Sequence, residues 1–275
     1  MIKRSQVAGM NIHYVKYSLE YFLEAQRKAG FETIELWCGA PHVWLDHYQY
    51  YHADRIRKKI EQYELKLACV TPENCIYPWQ VAAWEPEWRE RSFQYFKNGI
   101  QLTAELGCEK MEINSGWGSN TETKEDAWGR SQDMLGRLAE EAQKNGIVLV
   151  IESLRKEESQ IVHSLSDLKK MLEEIHHPSL LPMVDTCAMC CAGENLEEWF
   201  EAFHGKIAHM HFVDCDPQGH LIWGDGKQQM GKWIEILNRY QYTGYLGQEI
   251  TDEKYYTDPA KADCQNMKNF EQYIK

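Results

Sequence analysis

Four residues with metal-binding side chains each close a short apolar run: Glu152 in VIESL, Asp185 in MVDTC, His211 in HMHFVD and Glu249 in GQEIT. Three carboxylates and one imidazole form a mixed oxygen and nitrogen donor set. Such a set, with positions left open for water or substrate, suits Mn²⁺, Mg²⁺, Co²⁺ or Fe²⁺ better than a closed structural zinc site would. We therefore expect one divalent ion, with Mn²⁺ first among these. An acidic residue alone at a strand end is commonly a helix cap or a solvated loop charge. Four at consecutive strand ends resist that explanation, because buried parallel strands are otherwise apolar and an unpaired buried charge is costly. An ion ligated by a substrate's carbonyl and adjacent hydroxyl stabilises the negative charge that develops when the neighbouring C–H loses its proton.

For residues so far apart in sequence to meet, the chain must bring the C-terminal ends of several strands together. Apolar strand-like segments alternate with helical ones throughout, the pattern of parallel strands inside and helices outside. Eight units are predicted, with strands at Val7–Asn11, Thr33–Trp37, Leu67–Thr71, Lys110–Asn114, Val148–Ile151, Leu181–Val184, Ile207–Phe212 and Tyr245–Glu249. Helices are predicted at about Ser18–Ala29, Asp54–Tyr63, Glu87–Leu106, Asp126–Asn145, Ser166–Ile175, Lys232–Tyr240 and Pro259–Tyr273. Gly30, Gly107 and Gly146 mark helix stops, and Ser166 reads as the cap of its helix. The expected fold is an α/β (β/α)₈ barrel that spans residues 1–275 as one domain, with its site at the C-terminal face.

Composition narrows the function. With 43% hydrophobic and 26% charged residues in a chain of 275, a substantial core is available. A net charge of −12, with no run of Lys and Arg, argues against nucleic acid as a partner. The apolar stretches are too short for a membrane span, and MIKRSQVAGMNIHY lacks the features of a secretory signal, so a cytoplasmic location is expected. The nine cysteines are odd in number and scattered, which points to reduced thiols. Cys187, Cys190 and Cys191 contain a CxxC without a second pair, so packing thiols are expected ahead of a zinc or redox motif. Neither GxGxxG, GxSxG nor a P-loop is present.

At these residues the sequence resembles the xylose-isomerase-like barrel superfamily of sugar isomerases and epimerases, and within it the bacterial fructoselysine 3-epimerases. The likeness is carried by GAPHVW at 39–44, TPENCIYPW at 71–79, VIESLRKEES at 150–159, MVDTCA at 183–188, HMHFVDCD at 209–216, GDGK at 224–227 and GQEIT at 247–251. The resemblance implies a homo-oligomer, dimer or tetramer, that acts on a ketose or C1-substituted ketose. It also implies that Glu152 and Glu249 work as a pair through a cis-enediolate, one removing a proton from one face and the other returning it from the opposite face. Glu158 matches a glutamate that reaches the sugar's terminal hydroxyls in ketose epimerases, with a solvated loop acid as the alternative. Two departures stand out: Ala188, where free-ketose epimerases carry histidine, and the region of Pro217, which lacks their substrate-binding arginine. Both favour a bulkier or differently charged C1 substituent, such as that of a fructosamine.

Other residues have two readings each. His42 follows Pro41 in a loop and either touches substrate hydroxyls or bonds to backbone. His209 shares a strand face with His211 and either supports the ion's ligands or is a satisfied core histidine. Asp214 and His220 either close over substrate or are structural, and Trp79 and Trp117 either wall the sugar's carbon face or pack. An aldose–ketose isomerase, a C-glycoside-cleaving enzyme and a non-catalytic, metal-stabilised sugar-binding protein remain as competing functions. A DNA-repair endonuclease fits poorly with so acidic a chain.

Overall fold

The computed structural model describes residues 1–75 and 78–275; Ile76 and Tyr77, within the TPENCIYPW stretch, lie outside the described residues. The first half of the chain runs β1 (Val7–Met10), α1 (Leu19–Ala29), β2 (Thr33–Cys38), α2 (Ala53–Gln62), β3 (Lys66–Pro72), α3 (Pro86–Glu105), β4 (Lys110–Asn114) and α4 (Lys124–Lys144). It continues through β5 (Val148–Glu152), α5 (Leu165–Ile175), β6 (Leu180–Asp185), α6 (Thr186–Cys191), α7 (Leu196–Ala202) and β7 (His209–His211). A small antiparallel hairpin, β8 (Asp214–Asp216) and β9 (Gln218–Leu221), precedes α8 (Met230–Arg239), β10 (Leu246–Gln248) and α9 (Pro259–Phe270). Eight strands close a parallel barrel in the order β1-β10-β7-β6-β5-β4-β3-β2. Among the described residues no helix is long and apolar enough to cross a membrane.

Strand alternation explains both the core and the site. In β5, Leu149 and Ile151 point outward into the main hydrophobic cluster with Met111 and Ile113 of β4, Leu135 and Leu138 of α4. Val150 points inward and packs with Cys69 and Met183 in a small cluster along the barrel axis. The next inward position is Glu152, so the same alternation that fills the interior with apolar side chains delivers a carboxylate at the mouth. The register does likewise on neighbouring strands, since Asn114 pairs with Glu152, Asp185 with His211, and Gly247 with His211.

The helix signals mostly hold: Ser18 caps α1 by accepting from the Tyr21 N–H, and Gly30 ends it at φ 91° in the left-handed region that suits glycine. The cap of α5 differs from expectation. Ser164 is the extended residue whose hydroxyl accepts from the Asp167 N–H, whereas Ser166 lies inside the first turn. The segment between β6 and β7, which the periodicity left without a helix, contains α6 and α7. Six and seven residues are too few to develop a period, although Asn195 and Glu198 do form a capping box at the start of α7. The turn signals after β7 belong to the hairpin, in which Asp214 faces Leu221.

Loss of the α5 cap is expected to lower stability by about 1 kcal/mol in Ser164→Ala, with Ser166→Ala near wild type. Urea unfolding of the two variants checks the assignment.

Candidate metal centre

Glu152 ends β5, Asp185 ends β6 and caps α6, His211 ends β7, and Glu249 follows β10. One donor atom from each of these four lies within 4.8 Å of every other. His211 Nδ1 is 2.9 Å from Glu152 Oε1, 3.1 Å from Glu249 Oε2 and 4.0 Å from Asp185 Oδ2. The parallel register brings these ends to one level, so residues nearly 100 positions apart share one small volume.

The arrangement depends on a residue that sequence reasoning missed. Glu35, fully buried in the middle of β2, lies 3.1 Å from His211 Nε2 through Oε1 and 2.8 Å from His209 Nε2 through Oε2. Thr71 Oγ1 donates to Oε1 as well, at 2.6 Å. With Nε2–H of His211 donated to Glu35, Nδ1 is left as the nitrogen facing the three carboxylates, the usual orientation of a metal-ligating histidine backed by a carboxylate. Gly247 makes room for this group: a Cβ there would lie 2.2 Å from Glu35 Oε2. The available signal was a lone acid inside TIELWC, costly in a buried parallel strand unless paired. His209 thus acts on the centre through Glu35.

Charge organises the site. Burial pushes the Glu152 carboxyl up to about 7, opposed by His211 and reinforced by Glu249 and Asp185. Burial also opposes ionisation of Glu35, yet the imidazoles of His209 and His211 hold it well below the ordinary carboxylate range. For His220 burial favours the neutral ring, but Asp185 and Glu249 outweigh it and raise its pKa to about 10. His211 is raised well above its ordinary value, burial being overcome by Glu249, Glu35 and Glu152. The cluster therefore demands positive charge, and its three carboxylates and one open imidazole nitrogen fit a divalent cation.

A cleft of about 900 Å³ opens above the donors. His220, on β9, lines it with Nε2 3.1 Å from Asp185 and 3.2 Å from Glu249. Glu158 and Trp117 line it too; Glu158 pairs with the Arg155 guanidinium and accepts its backbone N–H at 3.0 Å. Ala188 faces the cleft and donates its N–H to Asp185. Two expected substrate contacts lie elsewhere. His42 is buried with Nδ1 at 2.7 Å from Asn11 Nδ2 and Nε2 at 3.0 Å from the Tyr17 carbonyl, so both ring nitrogens anchor loops. Asp214 accepts the N–H groups of Gly224, Gly226 and Gln228, each at 2.9 Å, and organises the GDGK turn. Trp79 stacks on Tyr95 with ring centroids 4.4 Å apart. All nine cysteines are free; Cys187 and Cys215 are buried together, with Cys190 and Cys191 packed against them.

A closed parallel barrel with a carboxylate–imidazole cluster at its C-terminal mouth, under a ligand-sized cleft, places the chain among the (β/α)₈ barrels with their candidate site at that face. The chain belongs to the xylose isomerase-like TIM barrel family, whose model matches residues 23–270. It is 26% identical over 254 residues to a fructoselysine 3-epimerase of Shigella flexneri and 25% identical to one of Escherichia coli O157:H7, with 92% of each chain covered in both. Among solved structures it is similar to an L-ribulose 3-epimerase, with a TM-score of 0.81 at 20% identity over 100% of this chain and 95% of that one. It is also similar to a 3-keto-D-glucoside 4-epimerase of Escherichia coli, with a TM-score of 0.80 at 16% identity and 97% and 99% coverage. The D-psicose 3-epimerase of Clostridium cellulolyticum H10 gives 0.79 at 15% identity, with 98% and 99% coverage.

Glu35→Gln is expected to weaken divalent-ion affinity by about 10- to 100-fold, because His211 loses the carboxylate that fixes its ring. Calorimetric titration of EDTA-treated protein with Mn²⁺ checks it, with circular dichroism confirming the fold. A pH effect follows from His220, whose pKa is about 10 against 6.5 when unpaired. Its pairing contributes stability that is complete below about 6.5 and lost as pH rises through about 10. The melting temperature of EDTA-treated protein should fall over that window, and should fall less steeply in His220→Gln.

Proposed function

We propose that this chain is a divalent-metal-dependent sugar 3-epimerase acting on a ketose or a C1-substituted ketose of the fructosamine type. The observation that carries the reading is the approach of Glu152 and Glu249 to one point, 2.9 and 3.1 Å from His211 Nδ1, from strands separated in the barrel by β6 and β7. Inversion at a carbon needs two proton carriers on opposite faces, and two carboxylates that flank one centre from different strands supply them.

Glu152, Asp185, His211 and Glu249 would hold the ion, which when bound supplies electrophilic stabilisation of charge developing on the substrate's oxygens. In this mechanism one glutamate accepts the C3 proton and the other delivers a proton to the opposite face, so the two exchange roles in the reverse direction. In the ion-free protein burial raises the Glu152 carboxyl to about 7, and a bound cation would favour its ionised, proton-accepting form. His220 keeps Asp185 and Glu249 oriented from the side. Glu158, held by Arg155, faces the cleft where it can bind hydroxyls. The small Ala188 and the charged stretch Arg155–Glu158 along the cleft support a substrate with a larger, charged C1 substituent. The curated relatives, both fructoselysine 3-epimerases, support the same class.

Mn²⁺-loaded protein incubated with fructoselysine, psicose and fructose in D₂O is expected to place deuterium at C3 and form the epimer, as read by NMR. Glu152→Gln and Glu249→Gln should each slow formation of the epimer by about 100-fold or more. Ion content is measured alongside, since an amide ligand binds cations less well than a carboxylate. Epimer formation at the wild-type rate in either ion-loaded variant would overturn the two-base mechanism; migration of the carbonyl would make the enzyme an isomerase, and binding without exchange in the wild type a non-catalytic sugar-binding protein.

A further inference from the structure

The cleft wall formed by β3 and β4 holds two polar side chains that the mechanism does not use. Asn74 follows β3 and is 5% exposed; Glu112 points inward from β4 and is 1% exposed; both line the cleft. Asn74 Nδ2 donates to the Pro72 carbonyl at 2.7 Å and to Glu112 Oε2 at 2.8 Å. Both amide hydrogens are thereby engaged, which fixes the orientation of the amide group. The backbone carbonyl of Asn74 is in turn held by Asn114 Nδ2 at 3.2 Å. What remains on each side chain is one oxygen, Asn74 Oδ1 and Glu112 Oε1, and neither has a hydrogen-bond partner among the described residues.

Buried polar atoms are almost always satisfied, and an orphan oxygen forfeits a hydrogen bond that water would have supplied. Both residues line a ligand-sized cleft, and a ligand whose entry opens a path to the two orphaned oxygens would explain them. The chemistry of the pair defines that ligand. An amide oxygen and a carboxyl oxygen repel an anion. Burial holds the Glu112 carboxyl well above the ordinary range, with Glu152 reinforcing it and His211 and the Asn74 amide opposing it. Two oxygens with no donor among the described residues are complemented by a ligand group that donates a hydrogen bond, and a sugar hydroxyl is such a group.

Position narrows the choice further. The four ion donors occupy β5, β6, β7 and β10, and β3 and β4 continue the ring beyond β5. A substrate whose reacting carbons lie over the donors therefore reaches the β3–β4 wall with the rest of its chain. We propose that Asn74 and Glu112 form a hydroxyl-binding subsite in this wall, which selects substrates carrying a free hydroxyl on the carbons beyond the reacting centre. The subsite rests on the sugar-epimerase reading for its orientation, and the orphaned oxygens carry it independently of turnover.

The test compares psicose with its analogues singly deoxygenated at C4, C5 and C6, measuring affinity by calorimetry on ion-loaded protein and C3 exchange in parallel. Wild type is expected to bind one of the three analogues about 10- to 100-fold more weakly than psicose, because that analogue leaves both oxygens unpaired. Glu112→Leu should bind psicose and that analogue equally. Glu112→Gln, whose amide can still meet both Asn74 and a hydroxyl, should keep the discrimination. Glu112→Leu also removes the acceptor of the Asn74 amide, so circular dichroism and melting temperature confirm that each variant is folded before affinities are compared. Asn74→Ala gives a second variant, in which the same discrimination should collapse. Equal binding of all analogues by wild type, or discrimination that survives in Glu112→Leu, would overturn the subsite. A wild type that discriminates among the analogues without exchanging C3 overturns the epimerase reading and upholds the subsite; one that exchanges without discriminating overturns the subsite alone.

Discussion

Three carboxylates held within 4.8 Å of one imidazole nitrogen repel one another, and the rest of the site is arranged around that repulsion. At an effective dielectric of about 20, each pair of like charges about 4 Å apart costs roughly 4 kcal/mol. Positive charge must offset it. A divalent ion would do so directly; His211 and His220, driven toward their protonated forms by the same carboxylates, supply the balancing charge from the protein itself. Glu35 settles how His211 takes part, since it claims Nε2 and turns Nδ1 toward the carboxylates. That buried contact leaves Nδ1 as the ring nitrogen open to a cation.

The barrel keeps this cluster at low structural risk. Below it the interior is closed by Cys69, Val150 and Met183, so the donors sit on an apolar floor and cannot sink into the axis. Around it the outward faces of the same strands are packed against helices in the main core. Beside that floor Glu35 and His209 are buried level with Cys69 and Met183 and pair with one another, with Thr71 and His211 completing Glu35. Orphaned oxygens on Asn74 and Glu112 fit a pattern in which a protein keeps locally unfavourable groups where function uses them.

Similarity across the family is strongest in this scaffold. TM-scores near 0.8 accompany identities of 15 to 20% with the solved epimerases, so the fold persists while most side chains change. Ala188, Arg155 and Glu158 line the cleft in front of the cluster. Asp214 holds the loop beyond β9 in shape by accepting from the Gly224 and Gly226 N–H groups.

The sequence by itself determined the alternating barrel pattern, most helix ends and the four donors. Each of these rests on local information: Val150 and Ile151 declare a strand, Glu152 breaks the apolar run at its end, and Ser18 with Gly30 bounds a helix. Short α6 and α7 escaped because their apolar pattern has no length in which to repeat, and the α5 cap slipped by two residues because two serines compete for the same role. Only the tertiary structure decided which polar residues meet. Glu35 and His211 are 176 positions apart and join only because the ring closes, with Gly247 leaving the necessary space. His42 and Asp214 read as substrate contacts in the chain, yet their partners come from loops that folding brings to them. Periodicity reports which face of an element is buried; what waits on the other side of that face is set by closure of the barrel.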